Sequence, residues 1–232
     1  CAGGAGAVFW MWVTAVIGGA SAFVESTLAQ IYKKKNDDGT SYGGPAFYMR
    51  DALGQRWLGV IFSVLIIATY AVGYNMLAAY NLQDTFTAFD FYSKTTAIVI
   101  GVILAVLFGV IVIGGAKRLT KVTEVMVPVM GVLYVIVAII VLILNAKQIP
   151  AMFGMIFESA FDFKAIFGGF AGSCIMNGIK RGLYSNEAGM GSAPNAAASA
   201  DVSHPVKQGL VQMLSVFIDT LIICSATAFM CL

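Results

Sequence analysis

Residues 167–173 read Phe-Gly-Gly-Phe-Ala-Gly-Ser, three glycines within five residues of an otherwise apolar stretch. Each glycine costs a helix interior roughly 1 kcal/mol against alanine, and it lets the backbone turn its amides and carbonyls away from the next turn. In hydrocarbon, freed backbone groups must meet protein, water or a solute. Gly168, Gly169, Phe170, Ala171, Gly172 and Ser173 are therefore candidate binding residues. The competing reading is helix packing, because Gly168 and Gly172 are four apart, the spacing of a small-xxx-small face. The Ser173 hydroxyl can donate to a solute or bond back to its own helix.

A second candidate is Asp219, about ten residues into the last apolar run, with Thr220 beside it. A carboxylate at that depth costs about 2.5–3.5 kcal/mol on insertion scales and faces an interior polar site. It coordinates or gates a cation there, or it hydrogen-bonds to a neighbouring helix. Asn75 and Asn81 are polar residues of the same kind in the second apolar run. His204 is the only histidine, and Cys1, Cys174, Cys224 and Cys231 form neither a CxxC pair nor a disulfide framework. The cysteines read as small buried hydrophobes. With no convergent His, Cys or paired carboxylates, an enzyme is disfavoured and no cofactor is expected. A channel would need charge rings or a filter sequence, and the net charge of +2 provides no basic face for nucleic acid.

The elements that must position these residues are transmembrane helices. The chain of 232 residues is 59% hydrophobic and only 11% charged, less than half the charge of an ordinary soluble domain. A bilayer core of about 30 Å takes about 20 apolar residues. Six runs qualify: 8–32, 57–82, 95–115, 122–144, 165–179 and 209–232. The fifth is short and holds the glycine knot, as a broken helix would. The lysines and arginines split eleven to three between alternate connections. The positive-inside rule then puts the first, third and fifth connections in the cytoplasm. The chain opens on Cys1 and stops at Leu232 inside an apolar run, so both ends are expected to be cuts within a longer protein.

Smaller features complete the reading. Trp10 and Trp12 suit an interfacial aromatic anchor. Glu25 and Glu124 fall near cytoplasmic span ends and are expected to pair with lysines and arginines across loops. Ser185-Asn186-Glu187 reads as the cap and first turn of a short cytoplasmic helix. The small residues from Ala193 to Ala200 can pack under the cavity as an inner gate or serve as a connecting loop, and Pro205 suits a first helical position.

The wording of several stretches adds a resemblance. Residues 3–18, beginning Gly-Gly-Ala-Gly-Ala-Val-Phe-Trp-Met-Trp, are similar to the signature of the alanine or glycine:cation symporter family, the sodium:alanine symporters. Gly43-Gly44-Pro45 with Tyr48, Phe170-Ala171-Gly172, Arg181-Gly182, the run from Ser185 to Pro194, and His204-Pro205 with Gln208-Gly209-Leu210 resemble the same family, in order along nearly the whole chain. The resemblance implies a partial leucine-transporter-type inverted-repeat fold, core helices two to seven of an all-α polytopic membrane protein. It implies sodium-coupled symport of a small neutral amino acid, alanine or glycine, by alternating access in the cell membrane, with sodium or alternatively a proton as coupling ion. The glycine knot would be the unwound part of the sixth core helix, where half-helix ends meet substrate and cation. Phe170 would wall the substrate, Asn81 would approach it, and Asp219 with Thr220 would hold the cation. The chain departs from the family in lacking a Gln near Ala78 or Ala79, and residues 173–177 are about a turn shorter than the family pattern before Gly178.

Overall fold

The computed structural model describes residues 3–37, 39–90, 92–161 and 171–232. The chain is helical almost throughout. It runs α1 (Ala7–Ile31), a ribbon of β1 (Lys34–Lys35) and β2 (Ser41–Tyr42), α2 (Pro45–Leu53), α3 (Arg56–Ile67), a π-helical turn (Ala68–Tyr74), α4 (Asn75–Thr85), α5 (Lys94–Ile113) and α6 (Gly115–Leu144). After these come α7 (Ile149–Ala160), α8 (Ala171–Asn186), α9 (Ala193–Ser199), α10 (Pro205–Phe217), a second π-helical turn (Ile218–Cys224) and α11 (Ser225–Cys231). Among the described residues five stretches are long and apolar enough to cross a bilayer: Ala7–Ile31, Arg56–Ala88, Thr95–Ile113, Arg118–Leu144 and Pro205–Cys231. They coincide with five of the six expected runs. Of the run at 165–179, residues 165–170 lie outside the described residues and 171–179 open α8. The molecule is an all-α polytopic membrane protein, with strand confined, among the described residues, to the ribbon, where Lys34 faces Tyr42 and Lys35 faces Ser41.

The chain divides into two compact units, Ser63–Tyr134 in one and Cys1–Phe62 with Val135–Leu232 in the other. Within the first, Ser93 starts α5 with a capping box. Its hydroxyl accepts from the Thr96 amide at 3.3 Å, and its own amide donates to the Thr96 hydroxyl at 3.3 Å. Ile98, Val102, Leu107 and Val127 stand exposed in this unit, as side chains that face lipid do.

The larger unit is organised around α1, against which α8, α9 and α10 all pack. The reason is in its sequence: Ala15, Gly18, Gly19, Ala22, Ser26 and Ala29 are buried along one side, and small residues let helix backbones approach closely. A Cβ on Gly19 would lie 3.2 Å from the Phe217 ring, and one on Gly18 3.0 Å from the Ala188 Cβ. Helix α8 answers with its own small residues. A Cβ on Gly178 would come within 2.5 Å of the Ala7 carbonyl oxygen, and one on Gly182 within 3.1 Å of the Thr14 Cβ. These contacts advance along both helices together, so α8 runs parallel to α1. Helix α10 runs antiparallel, since Gly209 meets Phe23, Phe217 meets Gly19 and Ser225 meets Trp12.

At the N-terminal end of α1 the aromatic residues turn inward. Phe9 packs on Phe157 and Phe161 with ring centroids 5.7 and 4.9 Å away, and Trp12 lies 6.3 Å from Phe153. Trp12 is half-buried, faces α7 and donates its indole N–H to Ser225 Oγ at 2.7 Å, the partner an indole needs where it leaves water.

Candidate functional site

The last span changes its winding in mid-course. Between α10 and α11 the turn Ile218–Cys224 is π-helical, a bulge that shifts backbone bonding from i−4 to i−5 and recurs at functional sites. Asp219 and Thr220 both lie on it. Thr220 is fully buried, and Asn186, at the end of α8, donates from Nδ2 to Thr220 Oγ1 at 3.0 Å. The Asn186 Oδ1 in turn accepts the Ala188 amide at 3.0 Å. Ser225 donates to the Thr220 carbonyl at 3.4 Å while accepting from Trp12, so a buried polar line joins α1, α8 and the last span. Thr220 thus carries an interhelical hydrogen bond, the kind of contact that was the alternative reading for the neighbouring Asp219 carboxylate.

Asp219 is partly buried on the same turn, and among the described residues its Oδ2 accepts a weak thiol contact from Cys224 at 4.0 Å. Cys224 Sγ also meets Ser185 Oγ at 3.0 Å. Next to these groups a cavity of about 360 Å³ opens between α1, α8 and α11, lined on its polar side by Asn177, Arg181, Cys224 and Thr227. The cysteines are thus not uniformly buried hydrophobes: Cys174 is buried, Cys224 is hydrogen-bonded beside the cavity, and Cys231 is exposed. Cys1 lies outside the described residues.

The structure brings together only part of the expected site. Gly168, Gly169 and Phe170 lie outside the described residues, while Ala171, Gly172 and Ser173 form the first turn of α8. Asn81 belongs to the smaller unit, where it is exposed on α4 and its carbonyl accepts from Thr85 Oγ1 at 3.0 Å. Asn75, in the same unit, donates to the Ala71 carbonyl at 3.1 Å. Small-xxx-small packing does occur in the chain, at Gly178 and Gly182. The run Ser185-Asn186-Glu187 ends α8 instead of starting a helix. The short helix begins only at Ala193, because Gly189 and Gly191 adopt φ of +81° and +78°, left-handed values that break helical winding. Pro205 does open α10, where His204 Nδ1 accepts the Val206 amide at 3.3 Å.

Ser225 was missed by sequence reasoning, and Trp12 and Asn186 were read in other roles, as an interfacial anchor and part of a helix cap. Their partners are distant in sequence, and each is an ordinary residue in its own segment. The position of Asn186 at a helix end, facing a polar residue of the last span, is a signal only once the helices are paired.

These features define a multi-pass helical membrane protein whose polar groups converge inside a bundle. The chain belongs to the sodium:alanine symporter family, whose model matches residues 1–232. It is 49% identical to a Bacillus subtilis protein named "Probable sodium/glutamine symporter GlnT", over 99% of this chain and 47% of that protein. It is 48% identical to the Bacillus subtilis "Amino-acid carrier protein AlsT", over 99% of this chain and 49% of the other. It is 40% identical to the Methanococcus maripaludis "Sodium/alanine symporter AgcS", over 97% and 50% respectively. The chain spans about half the length of the curated relatives it matches. Family and helices together make this a protein of the cell membrane.

Proposed function

We propose that this chain is the greater part of the core of a cation-coupled amino-acid transporter, one that moves a small neutral amino acid, alanine or glycine, with sodium by alternating access. The family match over the whole chain carries the reading. The interior polar line on a π-helical turn, beside a cavity bordered by α8, supports it. In this reading Gly168, Gly169 and Phe170 bind substrate together with Ala171, Gly172 and Ser173, the first turn of α8, as half-helix ends do in transporters of inverted-repeat design. Asn81 approaches the substrate from the second expected run. Asp219 supplies the anionic oxygen for the coupling cation, and Thr220 holds the turn that presents it.

A second substrate, glutamine, enters through one observation: a relative at 49% identity is named for it, the same identity as a relative named "Putative sodium/proton-dependent alanine carrier protein YrbD". The test is uptake of labelled alanine, glycine and glutamine by the full-length protein in proteoliposomes under a sodium gradient. Concentrative, saturable uptake that collapses when sodium is replaced is expected, with alanine or glycine outcompeting glutamine. Flux that never saturates or never exceeds equilibrium would replace the transporter reading with a channel. Sodium-independent uptake driven by acid outside would move the coupling to protons.

A further inference from the structure

The segment after α8 is clipped to the C-terminal half of α1 at two places. At its far end, Gln30 Nε2 donates to the carbonyls of Ala197 and Ala200, the latter at 2.9 Å, and Lys33 Nζ donates to Ala200 at 2.9 Å. These side chains satisfy the carbonyls that end α9. At its near end the holder is Glu25. The loop 187–192 has left-handed backbone at three alternate residues, Glu187 at +52°, Gly189 at +81° and Gly191 at +78°. That alternation turns backbone amides into a concavity suited to an anion. The anion is the chain's own carboxylate: a Cβ on Gly189 would lie 3.8 Å from Glu25 Oε1, which sets the carboxylate against the Gly189 and Gly191 amides, and Glu25 also accepts from Ser21 Oγ at 3.3 Å. The expectation that Glu25 pairs with loop lysines or arginines is thereby corrected.

The surroundings show what the clip holds. Gly191 leaves no room for a Cβ between the Phe62 ring, at 2.8 Å, and Pro45, at 3.0 Å. Gly44 fits against the Asn195 side chain, and a Cβ on Gly43 would lie 3.0 Å from the Ala198 Cβ. Ala197 and Ala198 are buried. Residues 187–200 thus form a plug between the end of α1, the Gly43-Gly44 turn and α2, at the end the charge distribution places in the cytoplasm.

A permanent joint here would need no ionised group, since Gly18 and Ala188 already pack the same elements. A carboxylate gripped by amides differs from an ion pair in one respect. When it lets go, no second charge is stranded: the carboxylate and the amides each rehydrate at the membrane surface. The joint is firm when closed, being charge-assisted, and reversible.

We propose that Glu25 is a positioning residue of the cytoplasmic gate, a latch whose carboxylate holds the loop 187–192 and with it the 187–200 plug, and which releases when the protein opens inward. This rests on the alternating-access reading above. The test uses the full-length protein with its other cysteines replaced and a cysteine in place of Ala197, in inside-out vesicles without substrate. An impermeant maleimide should label Glu25→Gln about tenfold faster than the parent, and Glu25→Asp should restore slow labelling. Equal labelling rates in parent and Glu25→Gln would overturn the latch. If Glu25→Gln does not reach the membrane, a reversible cross-link decides with Glu25 intact. Gly18→Cys with Ala188→Cys places two Cβ atoms about 3.0 Å apart, so the two helices need give by only about 0.5 Å to reach the roughly 3.5–4.5 Å of a disulfide. Oxidation should arrest uptake and reductant restore it, whereas full cross-linking with undiminished uptake would overturn the proposal. Glu25-dependent labelling in a protein that takes up no amino acid would keep the latch and sink the transport reading.

Discussion

Asp219 and Thr220 are adjacent, yet the physics assigns them different work. Thr220 has its oxygen committed to Asn186 in a fully buried position. Replacing it by valine leaves the Asn186 amide without an acceptor, a desolvation loss of about 1–3 kcal/mol. Thr220→Val is therefore expected to lower the melting temperature in detergent and to leave the sodium dependence of uptake unchanged in the protein that survives. Among the described residues Asp219 meets a distant thiol. Asp219→Asn should keep the melting temperature and raise the sodium concentration for half-maximal uptake by at least tenfold. A stability loss with unaltered sodium dependence would make Asp219 structural.

Tyr48 offers a test on the same scale, outside the spans. Its phenol is pushed up to about 12, first by burial and then by the negative charge of Glu25. Burial and a neighbouring carboxylate both disfavour the phenolate. The folded state therefore keeps this proton through the interval from about 10 to about 12, where the unfolded chain has lost it. The stabilisation is full below about pH 10 and lost as pH rises to about 12. Phenolate absorbance should show a last titrating step near 12 that Tyr48→Phe removes, and Glu25→Gln should move that step downward. Asp51, on the surface, is held well below the usual carboxylate range by its hydrogen bond to Arg50, and then by that to Lys34 at 2.8 Å. Its contribution is present above about pH 4 and fades as pH falls further.

At the scale of the element, glycine positions carry most of the information and most of the ambiguity. In Gly178→Leu the new side chain would start 2.5 Å from the Ala7 carbonyl, a backbone atom that cannot swing away. Helix α8 would have to leave α1, and overpacking of this kind costs about 1–3 kcal/mol or more. Its expected signature is a lower melting temperature with the substrate-induced rise in melting retained. Unchanged melting would mean that α8 does not seat on α1 through this glycine.

The same elements show what sequence could yield. Helical spans were legible because hydrocarbon demands long apolar runs, and the start of α10 because His204-Pro205 is a local signal. The pair Gly178 and Gly182 was equally visible, but spacing alone does not say which glycine pair meets a helix and which opens one. Glu25 was legible as a carboxylate and illegible as a latch, since its partners are backbone amides far along the chain. Backbone donors leave no letter in the sequence beyond the glycines that let them turn.

For the whole molecule, two independent lines bear on how the chain threads the membrane. Lysines and arginines divide eleven to three between alternate connections, which directs the C-terminal end of α1 to the cytoplasm. Side-chain contacts in the larger unit, which owe nothing to that count, run α8 parallel to α1 and the last span antiparallel to both. An even number of crossings must therefore lie between α1 and the last span in the sequence, and the six-run order supplies four. The prediction follows for three positions outside the helix cores. In intact cells with no other cysteines, cysteines replacing Asn36, on the β1–β2 ribbon, and Lys121, at the start of the Arg118–Leu144 span, should react only with a membrane-permeant thiol reagent. A cysteine replacing Asp90, exposed between the Arg56–Ala88 and Thr95–Ile113 spans, should react with an impermeant one. The inverse pattern would mean the charge asymmetry does not set the orientation. Labelling of all three from outside would mean that neither Arg56–Ala88 nor Thr95–Ile113 crosses, and would remove the alternation on which the cytoplasmic position of the plug depends.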